Sequence, residues 1–354
     1  GTAMSLFMGV LAAQKFPSTL IGDTSLYKRP MERVALPLRN MGAYIEMEND
    51  HAPVQIYPAE QILGCKHTLS IPSAQIKSAI LLAALYANSE TVVSSNLITR
   101  NHTELMLETF GCPISFNDSE IKIKNGELKG RNVIRVPGDF SSASFFILLT
   151  LLSKNSRLKI KSVNLNPTRL GALKILKKMG GKITLQNIKF QCGERIGDIT
   201  VKSSNLKSIN CPASIVPLAI DEMPLIFLAA SFANGISSFK ACGELEKKES
   251  PRLSLMNKML IQIGIKTKLK DRDSIKIYGN PNLNLNNKIY RIKTSYDHRL
   301  SMVGIVLGLT LGGKIIVEDC HSIATSFPNF LNLIKQLGAK YEICLLYTSD
   351  AADE

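Results

Sequence analysis

Four arginines stand inside short basic motifs: Arg29 in SLYKRPMERV (25–34), Arg100 in ITRNHTE (98–104), Arg252 in LEKKESPRL (245–253) and Arg299 in YDHRL (296–300). A fifth such motif, LNPTRLG, occupies 165–171. A planar guanidinium matches two oxygens of a carboxylate or phosphate at once, so these arginines read as anion clamps. For any one of them a solvated surface arginine is the ordinary alternative; their recurrence at matching places in a repeat favours a site. Glu249 lies between Lys248 and Arg252, and Asp221 stands beside Glu222 at the head of an apolar stretch. Carboxylates in a strongly cationic cleft acquire depressed or split pKa values, which makes Asp221 and Glu249 candidate proton-transfer groups. The alternative for both is a cap or a salt-bridge partner.

The elements that would position these residues form two interleaved families. In the first, an amphipathic helical pattern ends in an apolar residue and Gly, followed by a short β-like run: 34–47, 104–116, 172–185, 255–269 and 330–343. Its glycines fall at 42, 111, 180, 264 and 338 and suit the left-handed position that closes a helix before a strand. In the second, a polar start leads into a strongly apolar helix and then a β-branched strand: 1–21, 73–93, 141–160, 221–240 and 297–317. These helices are apolar nearly all round and should be buried, whereas the first family should face solvent on one side. One α/β unit of roughly 70 residues therefore recurs about five times. The chain begins inside an apolar helical pattern, GTAMSLFMGVLAA, so the first unit is expected to be incomplete. LLYTSDAADE (345–354) abandons the pattern and is expected to be a tail outside the fold.

Ser73, Gln75, Ser141, Ser142, Asp221, Glu222, Asp297, His298 and Arg299 all open the apolar helices. If those helices run parallel, their N-termini converge and offer backbone N–H groups and positive dipole ends to an anion. Simple capping by Ser and Asp is the alternative, and for Ser141 and Ser142 the favoured one.

Composition bounds the rest. With 354 residues, 45% hydrophobic and 20% charged, the chain suits two domains and an ordinary globular core. Its net charge of +14 points to an anionic partner. The seven cysteines are scattered without metal-ligand spacing, which predicts buried reduced thiols, no metal and a cytoplasmic location. The apolar runs 79–87 and 145–152 are too short to cross a bilayer. No phosphate-binding P-loop, dinucleotide fingerprint, zincin or nucleophile-elbow motif occurs.

Taken together, GTAM, GDTSLYKRPMERV, PSAQIKSAILLAAL, TRNHTELML, VPGDFSSASFF, LNPTRLG, IDEMP, KESPRL, DHRLSM and IATSFPNF resemble, in order over roughly residues 1–340, the EPSP synthase family, and most of all its bacterial branch that reads KRPM and PSAQ. The resemblance implies an α/β fold of two similar domains built of repeated α/β units, an inside-out barrel, with the N-terminal domain at 1–136 and the C-terminal domain at 137–344. It implies transfer of the enolpyruvyl group of phosphoenolpyruvate to the 5-hydroxyl of shikimate 3-phosphate, with no metal or organic cofactor. Ser73, Ala74, Gln75, Arg100, Asp221 and Lys248 would hold shikimate 3-phosphate, while Gly1, Arg29, Gln75, Arg252 and Arg299 would hold phosphoenolpyruvate. Asp221 would act as base and Glu249 as acid. The family pattern also puts a Lys-Ser and an Arg that touch both substrates ahead of Gly1. Glyphosate competes with phosphoenolpyruvate in this family, and Gly1 sits at the position that tunes it. A monomer is implied. Three residues depart from the pattern: Ser5 stands for Arg, removing a cation near the phosphate site, Asn101 for Asp, and Pro251 for Asp in the loop of Glu249 and Arg252.

Three rival readings remain. The UDP-N-acetylglucosamine enolpyruvyl transferase shares fold and donor, but its catalytic Cys loop has no evident counterpart and KRPM with PSAQ favours the shikimate enzyme. A basic nucleic-acid-binding protein is disfavoured by 6% aromatics, no Trp and no Arg/Lys-rich helix. An inactive fragment that binds one ligand weakly is the third.

Overall fold

The computed structural model describes residues 1–70, 73–95, 98–130, 133–283, 288–311 and 314–344. All ten helical patterns form helices. The apolar family gives α1 (Thr2–Leu11), with α2 (Glu32–Asn40) of the amphipathic family after it. The alternation continues through α3 (Ala74–Ala84), α4 (His102–Thr109), α5 (Phe140–Leu152) and α6 (Gly171–Lys178). It ends with α7 (Met223–Ser231), α8 (Arg252–Gln262), α9 (His298–Leu311) and α10 (Phe330–Gln336). Every residue of α7 is buried, as a helix without a polar face requires. Within α5, Ser144 and Thr150 donate back to their own helix, Thr150 to the Phe146 carbonyl at 2.8 Å, so burial leaves them satisfied. In α6, by contrast, Leu173, Ile175 and Leu176 face inward, and its lysines face out.

The five glycines have φ of +92°, +80°, +90°, +88° and +91° in chain order, the left-handed conformation expected where each amphipathic helix turns into its strand. Strands then form by one rule. The strand after each of the first four apolar helices pairs antiparallel with the second strand of the hairpin that follows the amphipathic helix. Thus β1 (Ser18–Leu20), β2 (Tyr44–Glu48) and β3 (His51–Tyr57) take the order β1-β3-β2. Next, β4 (Lys66–Leu69) runs parallel to β5 (Thr91–Ser95), and β6 (Ile114–Phe116) and β7 (Glu120–Ile123) complete the order β4-β5-β7-β6. In the same way β8 (Arg157–Asn164), β9 (Lys182–Gln191) and β10 (Glu194–Lys202) are ordered β8-β10-β9. The set β11 (Gly235–Phe239), β12 (Thr267–Lys270) and β13 (Ser274–Gly279) is ordered β11-β13-β12. Last come β14 (Ile289–Ile292) and β15 (Lys314–Val317), a parallel pair.

Two hydrophobic cores result. One runs from Met4 to Ile123 around α1 and α3, the other from Phe140 to Ile334 around α5, α7 and α9. No described residue between 124 and 139 belongs to either. Edge-to-face rings knit the second core, with Phe227 and Phe239 centroids 5.2 Å apart. In the first, Gly9 lets α1 and α3 cross backbone to backbone, since a Cβ there would lie 2.8 Å from Ala79 Cα.

Two sequence expectations change. The β-like run at 339–343 forms no strand. Its equivalents β2, β6, β9 and β12 each bond only to the hairpin strand that follows them, and residues 345–354, including the expected tail, lie outside the described residues. All seven cysteines are unpaired, but only Cys112, Cys211 and Cys242 are buried; Cys65, Cys192 and Cys320 are half-buried and Cys344 is exposed. Among the described residues no single helix is long and apolar enough to cross a membrane. A bent pair, Ala213–Ala219 with Met223–Ser231, would pass only together, and it turns by 118° at its break.

Gly264 has open space around its Cα, so its Ala variant isolates backbone strain from clash. Gly264→Ala should lower unfolding free energy by about 1 kcal/mol in urea titration, since an L-residue resists the left-handed conformation.

Candidate active site

The starts of α5, α7 and α9 meet, as parallel packing of the buried helices demanded. Two of the three, α5 and α9, have their first turns closed by a carboxylate, however. Asp139 accepts from Ser142 N at 2.8 Å and caps α5, while Asp297 accepts from Arg299 N at 2.9 Å and caps α9. Neither Ser141 nor Ser142 caps α5; Ser141 Oγ instead donates to Glu222 and receives Arg169 Nη2 at 2.6 Å. A helix start already closed by a carboxylate has little to offer an incoming anion, and that task passes to the arginines.

Asp221, just ahead of α7, is ringed by four cations from three separate segments. Arg100 donates to its Oδ2, Lys248 Nζ lies 3.6 Å and Arg252 Nη1 3.8 Å from Oδ1, and Arg299 Nη2 is 3.9 Å from Oδ2. Arg299 Nη1 also donates to the Asp221 carbonyl at 3.1 Å. Burial alone would raise the Asp221 pKa; Arg299, Arg100 and Lys248 outweigh it and hold the carboxyl well below the usual range. Glu222 next to it is 1% exposed, and burial together with the Asp221 charge pushes its pKa up despite Arg299.

A second carboxylate group lies alongside. Arg252, 1% exposed, is held by Asp297 through Nε at 2.8 Å and by Glu249 through Nη2 at 2.5 Å. Ser250 Oγ donates to the same Asp297 oxygen at 2.8 Å. Pro251 occupies the position just ahead of α8, so Glu249 and Arg252 stay adjacent across it. Glu249 also takes Arg29 Nη2 at 2.8 Å from the other core. Burial opposes its ionisation, but Arg252 and Arg29 bring its pKa down to about 2. Gly1 sits against Arg29, whose guanidinium would collide with any Cβ there.

The structure thus brings together Arg29, Arg100, Asp221, Lys248, Glu249, Arg252 and Arg299. Ser73, Ala74 and Gln75 open α3: Ser73 caps it through Ile76 N at 3.4 Å, and Gln75 donates to Thr2 Oγ1 at 2.9 Å, joining the starts of α3 and α1. Among the described residues these three share no hydrogen bond or ion pair with the Asp221 cluster. Ser5 is 2% exposed inside α1 and donates to the Gly1 carbonyl at 3.2 Å. Asn101 accepts from Asn166 Nδ2 at 2.8 Å, and Asn166 also donates to Glu194 at 3.0 Å, which in turn pairs with His102. This cross-link between the two halves left no signal in the sequence. Asp297 and Glu222 were visible only as helix openers. An acidic residue two positions before a clamp arginine, as in DHR, is the signal that marks the first.

The sequence pattern of EPSP synthase (3-phosphoshikimate 1-carboxyvinyltransferase) matches residues 1–334. The 3-phosphoshikimate 1-carboxyvinyltransferase of Hydrogenovibrio crunogenus is 41% identical over 345 residues, 96% of this chain and 76% of that protein. That of Ruthia magnifica is 42% identical over 338 residues, 96% and 77% of the two. Among solved structures, EPSP synthase from Acinetobacter baumannii superposes with a TM-score of 0.84 at 41% identity, covering 95% of this chain and 77% of that one. The enolpyruvyl transferase NikO from Streptomyces tendae, at 15% identity and covering 95% and 76%, shares the fold with a TM-score of 0.71.

Glu249 is held ionised by its arginines, so its pairs stabilise the protein above the ordinary carboxyl pKa of 4.5 and release that stability as pH falls towards about 2. The stability difference between the native protein and Glu249→Gln, measured by denaturation at successive pH values, should be largest above pH 4.5 and shrink steadily below it.

Proposed function

The chain belongs to the EPSP synthase (3-phosphoshikimate 1-carboxyvinyltransferase) family, and on that premise we propose which of its groups carry the reaction. It is a transferase of the shikimate pathway, moving the enolpyruvyl group from phosphoenolpyruvate to the 5-hydroxyl of shikimate 3-phosphate and releasing phosphate. The rival acceptor, a UDP-sugar, is not favoured by these relatives.

The observation that carries the assignment is the Asp221 carboxylate among Arg100, Lys248, Arg252 and Arg299. Asp221 takes the proton of the 5-hydroxyl as its oxygen bonds to the central carbon of the enolpyruvyl group, and Glu249 delivers a proton to the terminal methylene. The tetrahedral adduct then loses that methyl proton and the C–O bond to phosphate, restoring the double bond. Before substrates bind, both carboxyls are held too acidic for easy transfer. Shikimate 3-phosphate on Ser73, Ala74, Gln75, Arg100 and Lys248, and phosphoenolpyruvate on Gly1, Arg29, Gln75, Arg252 and Arg299, would bring their own negative charge to those cations. Each anion raises the pKa of the carboxylate it displaces, so the site becomes competent for proton transfer when both substrates are present. Glyphosate would compete at the Gly1 and Arg29 end, where the missing side chain leaves room for Arg29.

The two cores support a division into domains 1–136 and 137–344, with the substrates between them. A cytoplasmic monomer is the expected working form.

Calorimetry with shikimate 3-phosphate, with and without phosphoenolpyruvate, beside an inorganic-phosphate release assay tests the reading. Saturable binding and phosphate release only when both substrates are present support it. No binding of either, alongside salt-sensitive binding of single-stranded nucleic acid, overturns it. Asp221→Asn should keep shikimate 3-phosphate binding within about tenfold and lose on the order of 10²–10⁴-fold in turnover.

A further inference from the structure

Glu222 is a buried acid that the mechanism above leaves unused. We propose that it is the fixed buried partner that seats Arg299 for phosphoenolpyruvate, a positioning residue for the reaction; this rests on the reading of Arg299 as a donor-substrate clamp.

The argument begins with how the two deep arginines are held. Arg252 has one carboxylate that no ligand can reach, Asp297 at 0% exposed, and one that a ligand can replace, Glu249. Arg299 repeats that arrangement. Its Nη2 faces the Asp221 carboxylate at 3.9 Å, the group that must be freed for chemistry, while its Nη1 lies 3.7 Å from Glu222 Oε1. Glu222 is 1% exposed, so no substrate anion can take its place.

Glu222 is itself held from the far side. Ser141 Oγ donates to Glu222 Oε1, Arg169 Nη2 donates to Ser141 Oγ at 2.6 Å, and the same nitrogen pairs with Asp139 at 2.9 Å. Although Glu222 stands at the opening of α7, its side chain makes no capping bond to that helix, so the carboxylate is available to the chain of contacts running from α5 to Arg299. When a substrate anion draws Asp221 out of its pairing, Arg299 keeps one fixed partner and its guanidinium stays aimed. Without Glu222 the arginine would be anchored only by the Asp221 carbonyl and by the group the reaction needs.

The test is steady-state kinetics on Glu222→Gln, isosteric but uncharged, beside the native chain. The expected result is a rise of about tenfold or more in KM for phosphoenolpyruvate, with KM for shikimate 3-phosphate and kcat each within about threefold. Glu222→Asp should recover part of the loss. Ser141→Ala, which frees Glu222 without removing its carboxyl, should raise the same KM by a smaller factor, and it supplies the reading if Glu222→Gln does not fold. An unchanged KM for phosphoenolpyruvate in a folded variant, or equal rises for both substrates, overturns the proposal. A native chain that releases no phosphate overturns the functional reading instead, so the two failures are distinct.

Discussion

Everything at the centre of this protein depends on keeping like charges close together in a buried place. Arg29, Arg100, Lys248, Arg252 and Arg299 converge from four chain segments, and side by side they would repel strongly. Asp221, Glu249 and Asp297 lie among them, each shared by more than one cation where geometry allows. The carboxylates make the cluster foldable, and they also make it a site, because a substrate that carries phosphate and carboxylate can exchange with them.

The helical scaffold follows from that requirement. A site assembled from helix starts needs those helices to run together through the core, and only helices without a polar face can do so, as α5 and α7 do. The charged residues are therefore confined to their starts, where side-chain caps such as Asp139 and Asp297 close the backbone donors. The amphipathic helices then cover the outside, and a left-handed glycine returns each of the first four to its sheet. Two cores joined by a coreless stretch leave the arginines of the first facing the carboxylates of the second: Arg29 meets Glu249, and Arg100 meets Asp221.

Much of this was determined by the amino-acid sequence alone. The ten helices, their burial classes, the five glycine turns and the candidate clamps all follow from local periodicity and residue type, which act over one or two helical turns. The motif order was specific enough to identify the family. The sequence could not say that Asp139 rather than Ser141 caps α5, because both stand within one turn of its start and only packing chooses between them. Nor could it place a missing strand at 339–343, since strand formation needs a partner.

The pairings themselves belong to the tertiary structure. Arg100 and Asp221 are 121 residues apart in the chain, and Ser141 and Glu222 are 81 apart. No periodicity records such distances; the packing of buried helices sets them. Residue type decided which groups could hold an anion or move a proton. Packing decided which carboxylate each arginine keeps and which one a ligand can displace, because that distinction is burial, a property no single segment possesses.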